Sequence, residues 1–113
     1  MKIVVTNNPL VREKFPEAEF HDTDFPGVLK IVRDRIHLGH RLLTHPLSGS
    51  VKPLETPYKT VVISLEKGSL DEKALLIIED SIQSCQKFTA KRDWGEEVLA
   101  DFQLIDYDLI FSD

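Results

Sequence analysis

Apolar residues recur along this chain in two rhythms, and the switches between them lay out its elements. Ile3-Val4-Val5 is a short β-branched run closed by Thr6-Asn7-Asn8-Pro9, so Lys2–Thr6 reads as a buried strand followed by turn and cap residues. Pro9 suits the first turn of a short helix running to about Lys14, with Asn8 as its N-cap. Ala18–Asp22 alternates weakly and reads as a strand near an edge. Asp24 offers the next N-cap, and Pro26 is tolerated in the first turn that follows. Leu29, Val32, Ile36 and Leu43 then continue one helical stripe, with His40 four residues after Ile36. Lys30, Arg33, His37 and Arg41 fall on the adjacent polar side, and Gly39 weakens or ends the helix.

Lys59–Leu65 is the clearest central strand, and Gly68 breaks it. Ser69 and Glu72 form a capping box for a helix over about Leu70–Phe88, whose apolar face is Ala74, Leu75, Ile78, Ile82 and Cys85. Asp93 with Glu96 repeats the capping logic for a shorter helix using Val98, Leu99 and Phe102. In Leu104–Phe111, Ile105, Tyr107, Leu109 and Phe111 alternate with Asp106 and Asp108, the pattern of a strand with one wetter face. No repeat or linker divides the chain, so residues 1–113 are expected to form one small three-layer α/β domain. Its sheet is expected to be mostly parallel and four- to five-stranded, with helices on both faces. A four-stranded order 2-1-3-4 is expected from the right-handed crossover rule. Arg41–His45 offers a fifth strand, paired as an antiparallel hairpin with Lys59–Leu65 around a long loop at about 46–58.

The 113 residues carry a formal net charge of −5, which excludes a general nucleic-acid binder, since that needs a broad basic footprint. The charge is uneven. Residues 30–59 hold Lys30, Arg33, Arg35, Arg41, Lys52 and Lys59 against Asp34 and Glu55, a net of +4, leaving −9 on the remainder. His37, His40 and His45 lie in the same window, and the local field favours a small anion over a long polyanion. No apolar run approaches the roughly 18 residues of a membrane span. Cys85 is the single cysteine, so no internal disulfide forms and a reducing cytoplasm is the expected setting.

The segment His45-Pro46-Leu47-Ser48-Gly49-Ser50-Val51-Lys52-Pro53 carries most of the candidate chemistry. Prolines stiffen it, Gly49 lets backbone approach a ligand, Ser48 and Ser50 supply hydroxyls, and Lys52 supplies charge. With Arg41 and His45 beside them, these are the parts of a nest for phosphate or carboxylate. It is not a Walker loop, because no Gly-Lys-Ser/Thr opens a helix here, and no cofactor is called for. The same segment also suits packing against a partner, through the loop and Tyr58. His37, His40 and His45 offer a second chemistry, three nitrogen ligands for a divalent metal, although HxxH-x4-H is not a zinc signature. On the apolar stripe, His40 is better explained as a hydrogen-bonded core residue. His45 also suits general-acid or phosphoryl-accepting work. Cys85 lies on an apolar helix face and reads as buried structure. Asp106 and Asp108 share one face of the expected strand, as paired carboxylates do, and a solvated edge explains them as well. Thr6, Asn7 and Asn8 follow the first strand at its carboxyl end, where open α/β sheets place ligands, and ordinary capping explains them equally.

Three segments together resemble the GrdX family: Val4-Val5-Thr6-Asn7-Asn8-Pro9-Leu10-Val11, Val32-Arg33-Asp34-Arg35-Ile36-His37-Leu38-Gly39-His40, and the Pro-Leu-Ser-Gly-Ser block with Thr56-Pro57-Tyr58-Lys59. That resemblance covers about the first 65 residues and implies a cellular context. The family's members are small proteins encoded with the glycine, sarcosine and betaine reductase systems of amino-acid-fermenting anaerobes. It implies an accessory protein and carries over no catalytic residue. The partners it implies are a small anionic ligand or a reductase subunit, with a homodimer as a further option.

Overall fold

The computed structural model describes residues 1–47, 56–86 and 94–111. Among them, four strands form one sheet: β1 (Lys2–Thr6), β2 (Glu19–Phe20), β3 (His40–Leu42) and β4 (Thr60–Lys67), in the order β2-β1-β4-β3. Four helices accompany it: α1 (Pro9–Lys14), α2 (Phe25–His37), α3 (Glu72–Gln86) and α4 (Glu96–Phe111).

Local chemistry sets the element ends. The Asn8 side chain accepts from Leu10 N at 3.0 Å to start α1, and Asp24 accepts from Gly27 N at 2.8 Å to start α2. Each such cap is worth about 1 kcal/mol. The cap of α3 is Asp71, which accepts from Ala74 N at 3.1 Å, so the expected Ser69–Glu72 box is displaced by two residues. Asp71 wins because it adds a negative charge to the donor-rich helix end.

The helix α2 stops because Gly39 adopts φ +106, which reverses the chain into β3. A Cβ at Gly39 would stand 2.4 Å from the Gly68 carbonyl oxygen, whose own N–H donates to Gly39 O at 2.9 Å. Gly39→Ala is therefore expected to cost about 2–3 kcal/mol through strained backbone and a backbone clash. Gly68→Ala, with open space around its Cβ, is the matched control. Chemical denaturation of both variants checks this, and equal midpoints would contradict it.

Side chains alternate across the strands and divide the core in two. Val5, Val61 and Ile63 face α2 and α3, where Val28, Leu29, Val32, Ile36, Ile78 and Ile82 close the larger core. Full burial of each such aliphatic contributes about 1.5–3 kcal/mol. Val4 and Val62 face the other way, onto Val11 of α1 and onto Tyr107, Ile110 and Phe111 of α4. Helices thus cover both faces, as expected.

The sheet is mixed rather than mostly parallel. β1 pairs parallel with β2, while β4 pairs antiparallel with both β1 and β3. It follows that β1, β2 and β3 share one direction and β4 alone opposes them. The alternation of strands and helices holds through β3. β4 then follows β3 with no helix among the described residues between them, and it returns antiparallel. The hairpin expected at Arg41–His45 is this pairing, shortened to His40–Leu42. Its register shifts where Arg41 N donates to Ser64 Oγ at 2.7 Å instead of to a ladder carbonyl.

The expected C-terminal strand is absent. Leu104–Phe111 continues the helix that begins at Glu96, with no breaker between them. The edge beside β4 that such a strand would take is occupied by β3. No fifth strand is present among the described residues. The 2-1-3 part of the expected order survives, since β2, β1 and β4 are consecutive neighbours.

Candidate functional site

Because β1, β2 and β3 run one way and β4 the other, three carboxyl ends and one amino end meet at the same edge of the sheet. The loops leaving β1 and β2 lead to helices on opposite faces, the arrangement in which open α/β sheets bind ligands. Polar side chains concentrate there. Asn7, which ordinary capping would leave idle, ties three segments together. Its amide donates to Thr23 O at 2.8 Å and to Pro57 O at 2.9 Å, while its oxygen accepts from Lys59 N at 2.8 Å.

A second set links β1, β4 and α4. Thr60 Oγ1 donates to Asp106 Oδ2 at 2.6 Å, and Asn8 Nδ2 donates to the same oxygen at 2.9 Å. Thr60 has one hydroxyl proton and spends it on Asp106, so Thr6 Oγ1, at 2.8 Å, must donate to Thr60. Thr6 accepts in turn from Asn8 N at 3.0 Å. Every buried side-chain polar atom among the described residues has a partner. Gln103 Nε2 extends the set to the Tyr58 hydroxyl at 3.0 Å.

Lys59 sits between these sets and is only 2% exposed. Its neighbour Thr60 faces α4, so the pleat turns Lys59 to the opposite side, where its Nζ lies 5.9 Å from the Phe25 ring centroid in the first turn of α2. Burial pushes its pKa below the usual lysine value, against the charges of Asp106 and Cys85, which favour the ammonium. Burial also pushes the Cys85 thiol up to about 11, partly offset by Lys59, which leaves it a poor nucleophile.

The sequence candidates are dispersed. Ser48, Gly49, Ser50 and Lys52 lie outside the described residues. Arg41 is exposed and lines a depression with Ser64, Glu66 and Lys67, whereas His45 lines a different one with Thr44, Asp71 and Lys73. His45 Nδ1 accepts from Leu47 N at 3.1 Å. His40 is buried and its Nδ1–H donates to Ser64 O at 2.7 Å, the core role its position on the apolar stripe suggests. His37 is exposed at the end of α2. Among the described residues no group of three His, Cys, Asp or Glu is placed to hold a metal ion. Asp106 and Asp108 do not form a pair, because on a helix their spacing sends one to the core and the other to solvent. Nor is any helix among the described residues long and apolar enough to cross a membrane.

Sequence alone gives Lys59 a single signal, its position as the first charged residue after the loop and directly before the β-branched run of β4.

Fold and site define a small mixed-sheet α/β protein with a polar cluster and a buried lysine at the carboxyl edge of its sheet. The chain belongs to the GrdX-like protein family, whose model matches residues 3–113. No curated protein and no solved structure matches it.

Proposed function

We propose that this protein is an accessory of a glycine, sarcosine or betaine reductase system and binds a small anion, a phosphate or carboxylate, at the carboxyl edge of its sheet. The observation that carries the reading is Lys59, a buried cation at the edge where α/β sheets take ligands. A positive charge held at that edge favours an anion bound nearby. The +4 segment 30–59 supplies a field of the same sign, and Ser48, Gly49, Ser50 and Lys52 are the proposed loop partners, while Arg41 and His45, which line separate depressions, are left out of the site. Family membership supports the reductase context, in which carboxylates and acyl phosphates are handled.

A thermal-shift series with phosphate, sulfate, acetyl phosphate, glycine and betaine tests this. A ligand at about 100 times its Kd stabilises by roughly 2.7 kcal/mol, which raises the melting temperature of a domain this size by about 10 °C. The shift is expected with at least one of the three inorganic or acyl anions, and it should shrink in Lys52→Ala. The absence of any shift, or an undiminished shift in Lys52→Ala, would count against the loop as the anion's seat.

A further inference from the structure

The helix α4 is apolar on more sides than the sheet covers. Tyr107, Ile110 and Phe111 pack on the smaller core, and Asp106 is bonded to Thr60 and Asn8. These contacts fix which side of the helix faces outward. On that outward side Val98, Ile105 and Leu109, spaced i, i+7 and i+11, are 42%, 54% and 49% exposed. Trp94, the chain's single tryptophan, packs edge-on against Phe102 with ring centroids 5.4 Å apart, and helical spacing puts Phe102 next to this stripe. Apolar residues that extend beyond the face the sheet covers mark a second packing surface on the helix. An exposed aliphatic stripe bordered by a Trp–Phe pair has the composition of an interface centre.

Charge selects the partner. Glu97, Asp101 and Asp108 run along the other border of the stripe, and Glu96–Phe111 contains no Lys, Arg or His. Two copies packed through α4 would bring these acids together, and like charges across an interface oppose association. We propose that the outer face of α4 is a docking surface for a different protein, one that presents an apolar helical stripe edged with Lys or Arg. This inference is independent of the anion reading, since α4's outer face and Lys59 belong to different parts of the molecule.

Trp94 provides the readout. Two synthetic amphipathic helices of about five turns, one of Leu and Lys and one of Leu and Glu, would be titrated against the full chain at about 0.15 M salt. The Leu/Lys peptide is expected to shift Trp94 emission and to bind at least about tenfold more tightly than the Leu/Glu peptide. Ile105→Asp should weaken it by about tenfold or more, and Asp101→Lys with Asp108→Lys should reverse the preference. Leu109→Asp replaces Ile105→Asp if the latter does not retain the parent's circular dichroism. Equal affinity for the two peptides, an unchanged Trp94 signal, or no effect of the aspartate variants would overturn the proposal. Sedimentation showing a homodimer that Ile105→Asp dissociates would overturn it too, in favour of self-association.

Discussion

Replacing Asp106 by alanine is expected to lower the melting temperature by about 10–15 °C. The substitution strands two buried donors, the Thr60 hydroxyl and the Asn8 amide, whose bonds to Asp106 Oδ2 measure 2.6 and 2.9 Å. Leaving a buried donor without an acceptor costs about 1–3 kcal/mol, so the pair is worth about 3 kcal/mol. At the unfolding entropy of a domain this size, that loss corresponds to the stated shift. Asp106→Asn keeps an acceptor oxygen for Thr60 and should fall between parent and alanine. Asp108→Ala is exposed and should stay within about 0.5 kcal/mol. Thermal unfolding of the three variants reads this directly, and Asp106→Ala melting with Asp108→Ala would show that the buried set does not hold α4 to the sheet.

The second large effect concerns Lys59→Met. Its pKa in the folded protein is depressed, first by burial, so the folded state binds fewer protons than the unfolded state between that pKa and the ordinary lysine value of 10.5. Stability conferred through this group therefore rises with pH across that window. Below the window Lys59 is charged in both states and the burial penalty is felt in full. The expected result is that the parent gains stability relative to Lys59→Met as the pH climbs toward 10.5. Cys85 works in the opposite sense, since its thiol, raised to about 11, stays protonated in the fold while the unfolded thiol ionises from about 9. Because the Lys59 charge partly offsets the rise of the Cys85 thiol, the comparison is made in a Cys85→Ala background, which removes the cysteine contribution from both proteins. Parallel pH profiles would remove Lys59 from the account of the site. At neutral pH the same variant should also lose the anion-induced stabilisation of roughly 2.7 kcal/mol, because the buried positive charge is gone.

Much of the fold was legible because it rests on local chemistry. Asn8 and Asp24 cap the helices they precede, Gly39 ends α2 with a positive φ, and the β-branched runs of β1 and β4 are neighbours at the centre of the sheet. The direction of β4 was legible only through the Arg41–His45 hairpin alternative; the short β3, His40–Leu42, gives too little strand pattern to choose it over a parallel crossover. The C-terminal segment was misread because Ile105, Tyr107, Leu109 and Phe111 satisfy a period of two as well as a helical one. What decides between them is tertiary: Asp106 meets Thr60 and Asn8, and Tyr107, Ile110 and Phe111 meet the sheet. The site was half legible. Thr6, Asn7 and Asn8 stood out by their place after β1. Lys59 stands in the sequence only as the first residue of the central strand and one charge of the 30–59 window, and only the pleat of β4 and the packing of Phe25 reveal it as buried.

The account stands most directly on where an anion meets the protein. Two-dimensional amide NMR of the isotope-labelled chain, titrated with acetyl phosphate and then with inorganic phosphate, reports that position residue by residue. The amides of Asn7, Asn8, Lys59, Thr60 and the 48–52 segment are expected to shift together and to saturate, and Lys59→Met should abolish the saturable response. Saturable shifts confined to the α3 side around His45 and Lys73, or no saturable shift with either anion, would contradict the assignment of the sheet's carboxyl edge as the binding site.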